Sequence, residues 1–523
     1  MSIEKEYVVV VNRGVDIDLF DAELSATTGE GPIPNRSVDI ANPRLGSKRM
    51  THWMLTDDEA ALLMNDPRVL SVEIPVDQRS DAKMGFRAFQ TSNFDKPTIL
   101  ESEKVNWGLR RCIETTNVYS NGTSVTTDYP YALDGTGVDI VIQDSGLQID
   151  HPEFTDSAND SRVQQIDWYT ASGLSGTQNA NHYRDFEGHG THCAGIAAGK
   201  TYGWAKNAHI YSQKLNGLEG PGDTNTGIPI ADAFDAIRLW HASKTNGRPT
   251  IVNMSWGYFT QLSGNPTGGN YRGTVWSWGT DYVNNFALWD GVGIVPPLVS
   301  GFRFYPLRVA SVDAEIDDMI DAGIHVVIAA GNDYYKGDIT TGNDYNNTSV
   351  YGGATYYYHR GSSPHSDEAL IIGNSDTDVQ LSGGNYLDKT SESTSRGPRV
   401  ACFAPGQNII STCSTTTIFD SIDYPNDTNF KIAMINGTSM AAPQVVGVMA
   451  QHLQVRPNML PAELKSKIVE ESKPVMYTTN LDNDYSEFAT SLMGAPNRLL
   501  YSKYGRQPAT TTGLDISGSV SIS

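Results

Sequence analysis

The chain has 523 residues, of which 39% are hydrophobic and 19% charged, with 49 glycines and a formal net charge of −22. That length accommodates two or three domains, one of them large and single-cored. The negative balance argues against nucleic acid and anionic membrane surfaces as partners, because nothing offsets phosphate repulsion.

The chain opens with MSIEKEYVVVVNRG, whose apolar run is too short for a signal-peptide core, and no later stretch approaches a membrane span. EYVVVVN reads as a strand, DIDLFDAEL as a short helix and KRMTHWML as a second strand. TDDEAALLMNDP offers Thr56 as N-cap, acids in its first turn and a stop before Pro67. RVLSVEIP follows as a third strand. This order predicts a small split α+β module over residues 1–80. The polar, weakly patterned VDQRSDAKMGFRAFQTSNFDKP that comes next predicts a linker, placed at 81–103.

From about residue 104 the texture changes. GVDIVIQ (137–143), TIVNMSW (250–256) and GIHVVIAA (323–330) lack polar alternation, as strands buried on both faces do. Helical stretches such as IADAFDAIRLWHAS and VDAEIDDMIDAG lie between them, which predicts an α/β sandwich with a mostly parallel sheet. In such folds active sites gather at the carboxyl ends of the strands. Two segments interrupt the alternation, 258–310 and 333–366, and read as surface insertions. Residues 507–523 are small and polar and read as a flexible tail. The four cysteines, Cys112, Cys193, Cys402 and Cys413, show no CxxC pairing. A disulfide framework is not expected, although a single Cys402–Cys413 bridge stays open.

The chemistry concentrates in three places. EGHGTHCAG (187–195) sets two histidines and a cysteine among glycines, and is open to reading as a metal site, a redox centre or half of a proton relay. Asp144 ends the strand VDIVIQ beside a glycine, and Ser439 opens the apolar helix of INGTSMAAPQVVGVMAQHL. A serine needs a base to become a nucleophile, and the base needs a carboxylate to hold its tautomer. Asp, His and Ser occur here in that order, one of the orders in which such triads are found.

Five ordered segments resemble the subtilisin-like serine proteases, or subtilases: VIQDSGLQIDHPEF, GHGTHCAGIAAGKTYGWAKNAHI, IVNMSWG, VVIAAGND and NGTSMAAPQVVG. The His segment is nearest to the proteinase K branch. The resemblance covers about 104–503, with VNWGLRR similar to the start of many mature members. MTHWMLTDDEAALLMNDPRVLSVEIP resembles the end of the inhibitory propeptide of that family. The resemblance implies a subtilisin-like three-layer α/β sandwich at 104–506, preceded by a ferredoxin-like α+β propeptide domain. It implies a serine endopeptidase made as a zymogen, whose partners are polypeptide substrates and its own propeptide, with the processing cut within 77–105. By the same resemblance Asp144 orients the base, His189 is the base, Ser439 is the nucleophile, and Asn332 donates its amide to the oxyanion. Substrate is expected as an added strand beside Ser255, Trp256 and Gly257 and beside Ala329, Ala330 and Gly331. Trp256 is expected to narrow or line an apolar pocket and so favour hydrophobic or aromatic residues. The residues themselves agree on the oxyanion site. Asn332 follows a buried strand, and Ser439 at a helix start offers its own N–H and the positive dipole end.

The neighbours of these residues have plainer readings. His192 is a packing histidine and Cys193 a buried thiol near the base, so the opening segment reads as half of a proton relay. Glu153 falls where some family members place a calcium-ligating aspartate, with Asp150 near it. The ligand loop after the His helix is missing, however, and Ala401 replaces the aspartate by which proteinase K holds calcium. No metal and no cofactor are therefore expected. Gln444 stands where the family often has histidine, without expected effect on the chemistry. Pro443 either loosens the first turn at Ser439 or merely kinks a buried helix, and Met440 exposes the site to oxidative loss. Trp276, Trp278 and Trp289 make 258–310 either a docking surface or a self-packed loop, with docking preferred. Two rival readings are a catalytically silent or self-cleaving scaffold, and metal-dependent hydrolysis through His189 and His192, which lacks a third ligand.

Overall fold

The structure is a computed structural model and describes residues 3–26, 32–33, 36–44, 46–86, 106–117, 129, 131–282, 301–478 and 492–505. Most of the expected linker, Trp289 and the expected tail lie outside the described residues.

The N-terminal unit contains β1 (Lys5–Val11), α1 (Ile17–Ser25), β2 (Ile40–Asn42), β3 (Met50–Leu55), α2 (Asp57–Leu63) and β4 (Val69–Glu73). Its sheet runs β2-β3-β1-β4 with antiparallel pairing throughout. The expected cap at Thr56 is a full capping box, in which Thr56 accepts from Glu59 N and Glu59 accepts from Thr56 N at 2.8 Å. The run of four valines has no polar alternation because both faces of β1 are covered. Val9 and Val11 pack with Phe20, Leu24, Trp53 and Leu63, while Val8 and Val10 pack with Met50 against Ala314 of the larger unit.

The next strand, β5 (Lys83–Phe86), lies where the linker was expected to begin. The larger unit follows with α3 (Trp107–Arg111), β6 (Asp139–Asp144), α4 (Trp168–Ser172), α5 (His189–Ala198), β7 (His209–Lys214), α6 (Ile230–Ser243), β8 (Thr250–Met254) and β9 (Trp256–Ser263). Then come β10 (Gly268–Tyr271), β11 (Thr274–Ser277), β12 (Phe302–Pro306), α7 (Ala310–Asp321), β13 (His325–Ala329), β14 (Thr348–Tyr351) and β15 (Ala354–Tyr357). The chain ends with β16 (Leu370–Ser382), β17 (Asn385–Thr390), β18 (Cys402–Pro405), β19 (Ile409–Cys413), β20 (Ser421–Tyr424), β21 (Asp427–Ile435), α8 (Thr438–Val455) and α9 (Pro461–Glu471).

The central sheet has the order β17-β16-β13-β8-β6-β7, with β18 also on β16, and every pairing but β16–β17 is parallel. Ile140 and Ile142 face a core shared with α5 and α8, and Val141 faces a second core shared with α6 and α7. Covering both faces in this way makes three layers, and it explains the continuous apolar runs. The sheet's carboxyl edge thereby gathers Asp144, Ser255 and Asn332 toward the starts of α5 and α8.

The two insertions form one structure. β10 from the first pairs with β14 from the second, and Trp276, Tyr305, Tyr335 and Tyr358 make a buried aromatic cluster between them. Trp276 is only 2% exposed, so the docking surface expected around it is instead a self-packed core.

The N-terminal unit sits on α6 and α7. Glu73 accepts from Ser311 N at 2.7 Å, capping α7 from the other unit. Arg44, with a left-handed φ of 43°, reaches Asp235 at 3.2 Å and Glu315. Arg238 pairs with the same two carboxylates and donates to Gly46 O at 2.6 Å. Arg44, Asp235, Arg238 and Glu315 are all buried.

Candidate active site

Asp144 closes β6 and is fully buried. Its Oδ1 accepts from Ser145 N at 2.8 Å and lies 2.8 Å from His189 Nδ1. His189 is the first residue of α5, and two glycines allow it to sit there. Gly188 is left-handed with φ 91°, and a Cβ on Gly190 would meet Gly146 O at 2.2 Å and Asp144 Cβ at 3.2 Å.

Burial opposes charge on His189, but the Asp144 carboxylate and the Cys193 sulfur overcome it and lift its pKa well above the ordinary imidazole value. Burial pushes the nearby Glu187 carboxyl up to about 7, against the pull of His189. His192 turns away and meets Ala433 O at 3.0 Å, and burial drops its pKa to about 3, as suits a packing histidine. Cys193 Sγ lies 3.9 Å from His189 Nδ1, and burial raises its pKa. Asp144, His189 and Cys193 have ligand atoms within 4.8 Å of one another, so the pair His189/His192 is not where soft and hard donors converge. All four cysteines are free, which closes the question of a Cys402–Cys413 bridge.

Ser439 is the second residue of α8 and is fully buried. Its hydroxyl donates to Ser255 O at 2.9 Å. Asn332 follows β13, and its Oδ1 accepts from Thr438 N at 3.0 Å and Thr438 Oγ1 at 3.1 Å. Thr438 Oγ1 accepts in turn from Gly331 N at 3.1 Å. With its oxygen engaged twice, the Asn332 side chain is left with its NH₂ as the donor end.

The expected substrate-binding strands differ from one another. Trp256 and Gly257 begin β9, whose edge carries β5 in the register Gly85↔Gly257 and Phe86↔Trp256. On the other side, Ala330 N donates to Ile372 O at 3.0 Å, and Ser395 N donates to Gly331 O at 2.8 Å, so these two groups are engaged within the fold. With β5 in place Trp256 has no exposed surface. Its ring is fully buried and packs 5.8 Å from Tyr258 and 6.5 Å from Phe234.

Asp185 was not singled out in the sequence, yet it joins both halves of the Asp144–His189 pair. Its carboxylate accepts from Ser145 Oγ at 2.8 Å and from Gly188 N and Thr191 N, at 2.8 and 2.9 Å, at the start of α5. The signal was available, since an acid just before a glycine-led helix meets several N–H groups that lack helical acceptors. Glu153 is held by protein donors, Thr201 N at 2.6 Å and Tyr424 OH at 2.8 Å. Gln444 accepts from Trp204 Nε1 at 2.7 Å and donates to Asn106 Oδ1 at 2.8 Å, anchoring the segment before α3.

The model of the Subtilase family (Peptidase S8) matches residues 135–492. The chain belongs to the subtilase family. It is therefore a subtilisin-family serine protease, and its α/β fold is the one expected. Among similar proteins, an extracellular serine proteinase of Thermus sp. (strain Rt41A) is 25% identical over 450 residues, covering 86% of this chain and 74% of that protein. A cuticle-degrading protease of Metarhizium anisopliae is 28% identical over 374 residues, covering 71% of this chain and 66% of that one. The curated relatives are matched over about half to about three quarters of their own length. The solved structure of fervidolysin from Fervidobacterium pennivorans, a keratinolytic enzyme related to subtilisin, superposes with a TM-score of 0.50 at 17% identity. That likeness covers 98% of this chain and 62% of that one, and bears on the fold alone. Among the described residues no helix is long and apolar enough to cross a membrane.

Proposed function

We propose that this subtilase is an endopeptidase that cleaves polypeptides through Asp144, His189 and Ser439. The observation that carries this reading is the buried 2.8 Å contact between Asp144 Oδ1 and His189 Nδ1. Asp144 holds the Nδ1–H tautomer, which leaves Nε2 to take the proton of Ser439 as Oγ attacks the peptide carbonyl. The negative charge that develops on the carbonyl oxygen is received by the Asn332 amide and by Ser439 N–H at the start of α8. His189 then passes the proton to the leaving amine, and water repeats the sequence to release the acyl group.

The chain is made as a zymogen whose residues 1–80 are a propeptide, with the enzyme at 104–506. Support comes from β5, which lies on the β9 edge as a substrate strand would. The register leaves Phe86 one position from Ser255, so the processing cut falls within the few residues that follow Phe86. Met84 packs against the cluster holding Phe234, Trp256 and Tyr258, so the substrate residue that takes its place is apolar.

A fluorophosphonate probe tests the reading. The parent chain is expected to label and Ser439→Ala is not. A folded parent, freed of residues 1–86, that fails to label would favour the scaffold reading. Mass spectrometry of the mature N-terminus checks the cut, and a peptide-library profile dominated by charged residues at the Met84-equivalent position would refute the apolar preference.

A further inference from the structure

Helix α8 contains Pro443, four residues after Ser439. In an uninterrupted helix the N–H of residue 443 would donate to the carbonyl of Ser439. Proline has no N–H, and its ring crowds that carbonyl. A backbone acceptor at a fully buried residue would then go without its helical partner, which is costly.

The motif IVNMSWG supplies a substitute. Ser255 Oγ donates to Ser439 O at 3.1 Å. Asn253 Nδ2 donates to Ser255 Oγ at 2.9 Å, so the hydroxyl oxygen is occupied as an acceptor and its proton is directed to Ser439 O. Asn253 and Ser255 stand two apart along the strand direction and so present their side chains to the same face. Cys193 Sγ lies 3.5 Å from the same carbonyl as a second, weaker donor. The contact is reciprocal, because Ser439 Oγ donates back to Ser255 O. Asn253, Ser255, Cys193 and Ser439 are all fully buried, so water does not substitute for any of them.

We propose that Ser255, oriented by Asn253, is a positioning residue that replaces the helical N–H missing at Pro443 and fixes how Ser439 is carried. The bond fixes the carbonyl of Ser439, and so the place of the backbone from which Cβ and Oγ project. It also ties the nucleophile to the residue that opens the β9 edge. The strand that receives substrate and the helix that attacks it thus share one joint. An ordinary N–H at residue 443 would satisfy the carbonyl from within the helix and leave that joint unmade. This inference rests on Ser439 being the nucleophile.

The experiment is a double-mutant cycle of Ser255→Ala and Pro443→Ala, read in two ways. In the active chain, Ser255→Ala is expected to lower kcat by about 10- to 100-fold with KM within about 3-fold, as misorientation of a reacting group does. Adding Pro443→Ala is expected to recover kcat by at least about 5-fold, because the restored N–H takes over the carbonyl. In chains that also carry Ser439→Ala, which cannot react, Ser255→Ala lowers the melting temperature and Pro443→Ala cancels most of that loss. Melting effects that simply add would overturn the exchange of donors. Coupled melting with kcat untouched by Ser255→Ala would reduce Ser255 to a structural filler and overturn the positioning role. A folded parent that does not label with fluorophosphonate would remove the protease reading, and the melting cycle would still decide the exchange.

Discussion

Arg44 holds the N-terminal unit to the rest of the chain, and replacing it with methionine keeps its bulk while removing its charge. In the structure its guanidinium meets Asp235 at 3.2 Å and Glu315, with side-chain exposures of 6%, 3% and 3%. Without it, Asp235 and Glu315 share the single guanidinium of Arg238. Breaking a buried ion pair by removing one partner costs about 3–5 kcal/mol. At 1.36 kcal/mol per factor of ten, the docking equilibrium of the unit should weaken by about 10²- to 10⁴-fold. Arg44→Lys keeps a charge but not the fork that spans two carboxylates, and should fall between. The assay is hydrogen exchange in the full chain carrying Ser439→Ala, so that no self-cleavage intervenes. The reporter is the Ser311 N–H, whose acceptor is Glu73 across the interface. Its protection should fall by about 10²-fold or more in Arg44→Met, in step with the opening equilibrium. A fall of less than about 3-fold would show that the ion cluster satisfies itself and that apolar packing alone seats the unit.

Three further outcomes are expected. Asp185→Asn weakens the acceptor shared by Ser145 Oγ, Gly188 N and Thr191 N, so it should lower stability by about 1–3 kcal/mol and depress kcat more than KM, read by denaturant melts and peptide kinetics. Gly190→Ala drives a methyl to within 2.2 Å of Gly146 O, and should abolish fluorophosphonate labelling even where the chain still folds. The reaction needs neutral His189, whose pKa is lifted by Asp144, so activity should be lost as pH falls through a value above the usual imidazole range. The acid limb of kcat/KM measures this, and Glu187→Gln should move that limb downward by removing a nearby carboxylate.

Local patterns in the sequence reveal features that depend on local chemistry. The runs around Val141, Val252 and Val327 read as doubly buried strands because their parallel neighbours and both helix layers leave no polar face. Thr56 reads as a cap because its partner Glu59 is three residues away. Asp144, His189, Asn332 and Ser439 stand out because glycines mark sharp turns at the ends of buried elements. Features set by distant partners were hidden. KMGF becomes β5 only because the β9 edge offers it hydrogen bonds, and its own residues carry no strand signal. The packing of Trp256 against Phe234 and Met84 depends on residues far apart in the chain, so its full burial was not legible from IVNMSWG. For Asp185 the cap at the start of α5 is local and legible, whereas its bond to Ser145, 40 residues earlier, is set only by the fold.

The sheet that joins β10 to β14 constrains how this protein can be shortened. Its two halves enter the chain on opposite sides of α7 and β13, yet neither has a complete core or a closed edge without the other. Trimming the first alone would uncover Tyr335 and Tyr358, trimming the second alone would uncover Trp276 and Tyr305, and either would leave an open strand inviting self-association. A minimal version of the protein therefore has to lose both pieces in one step.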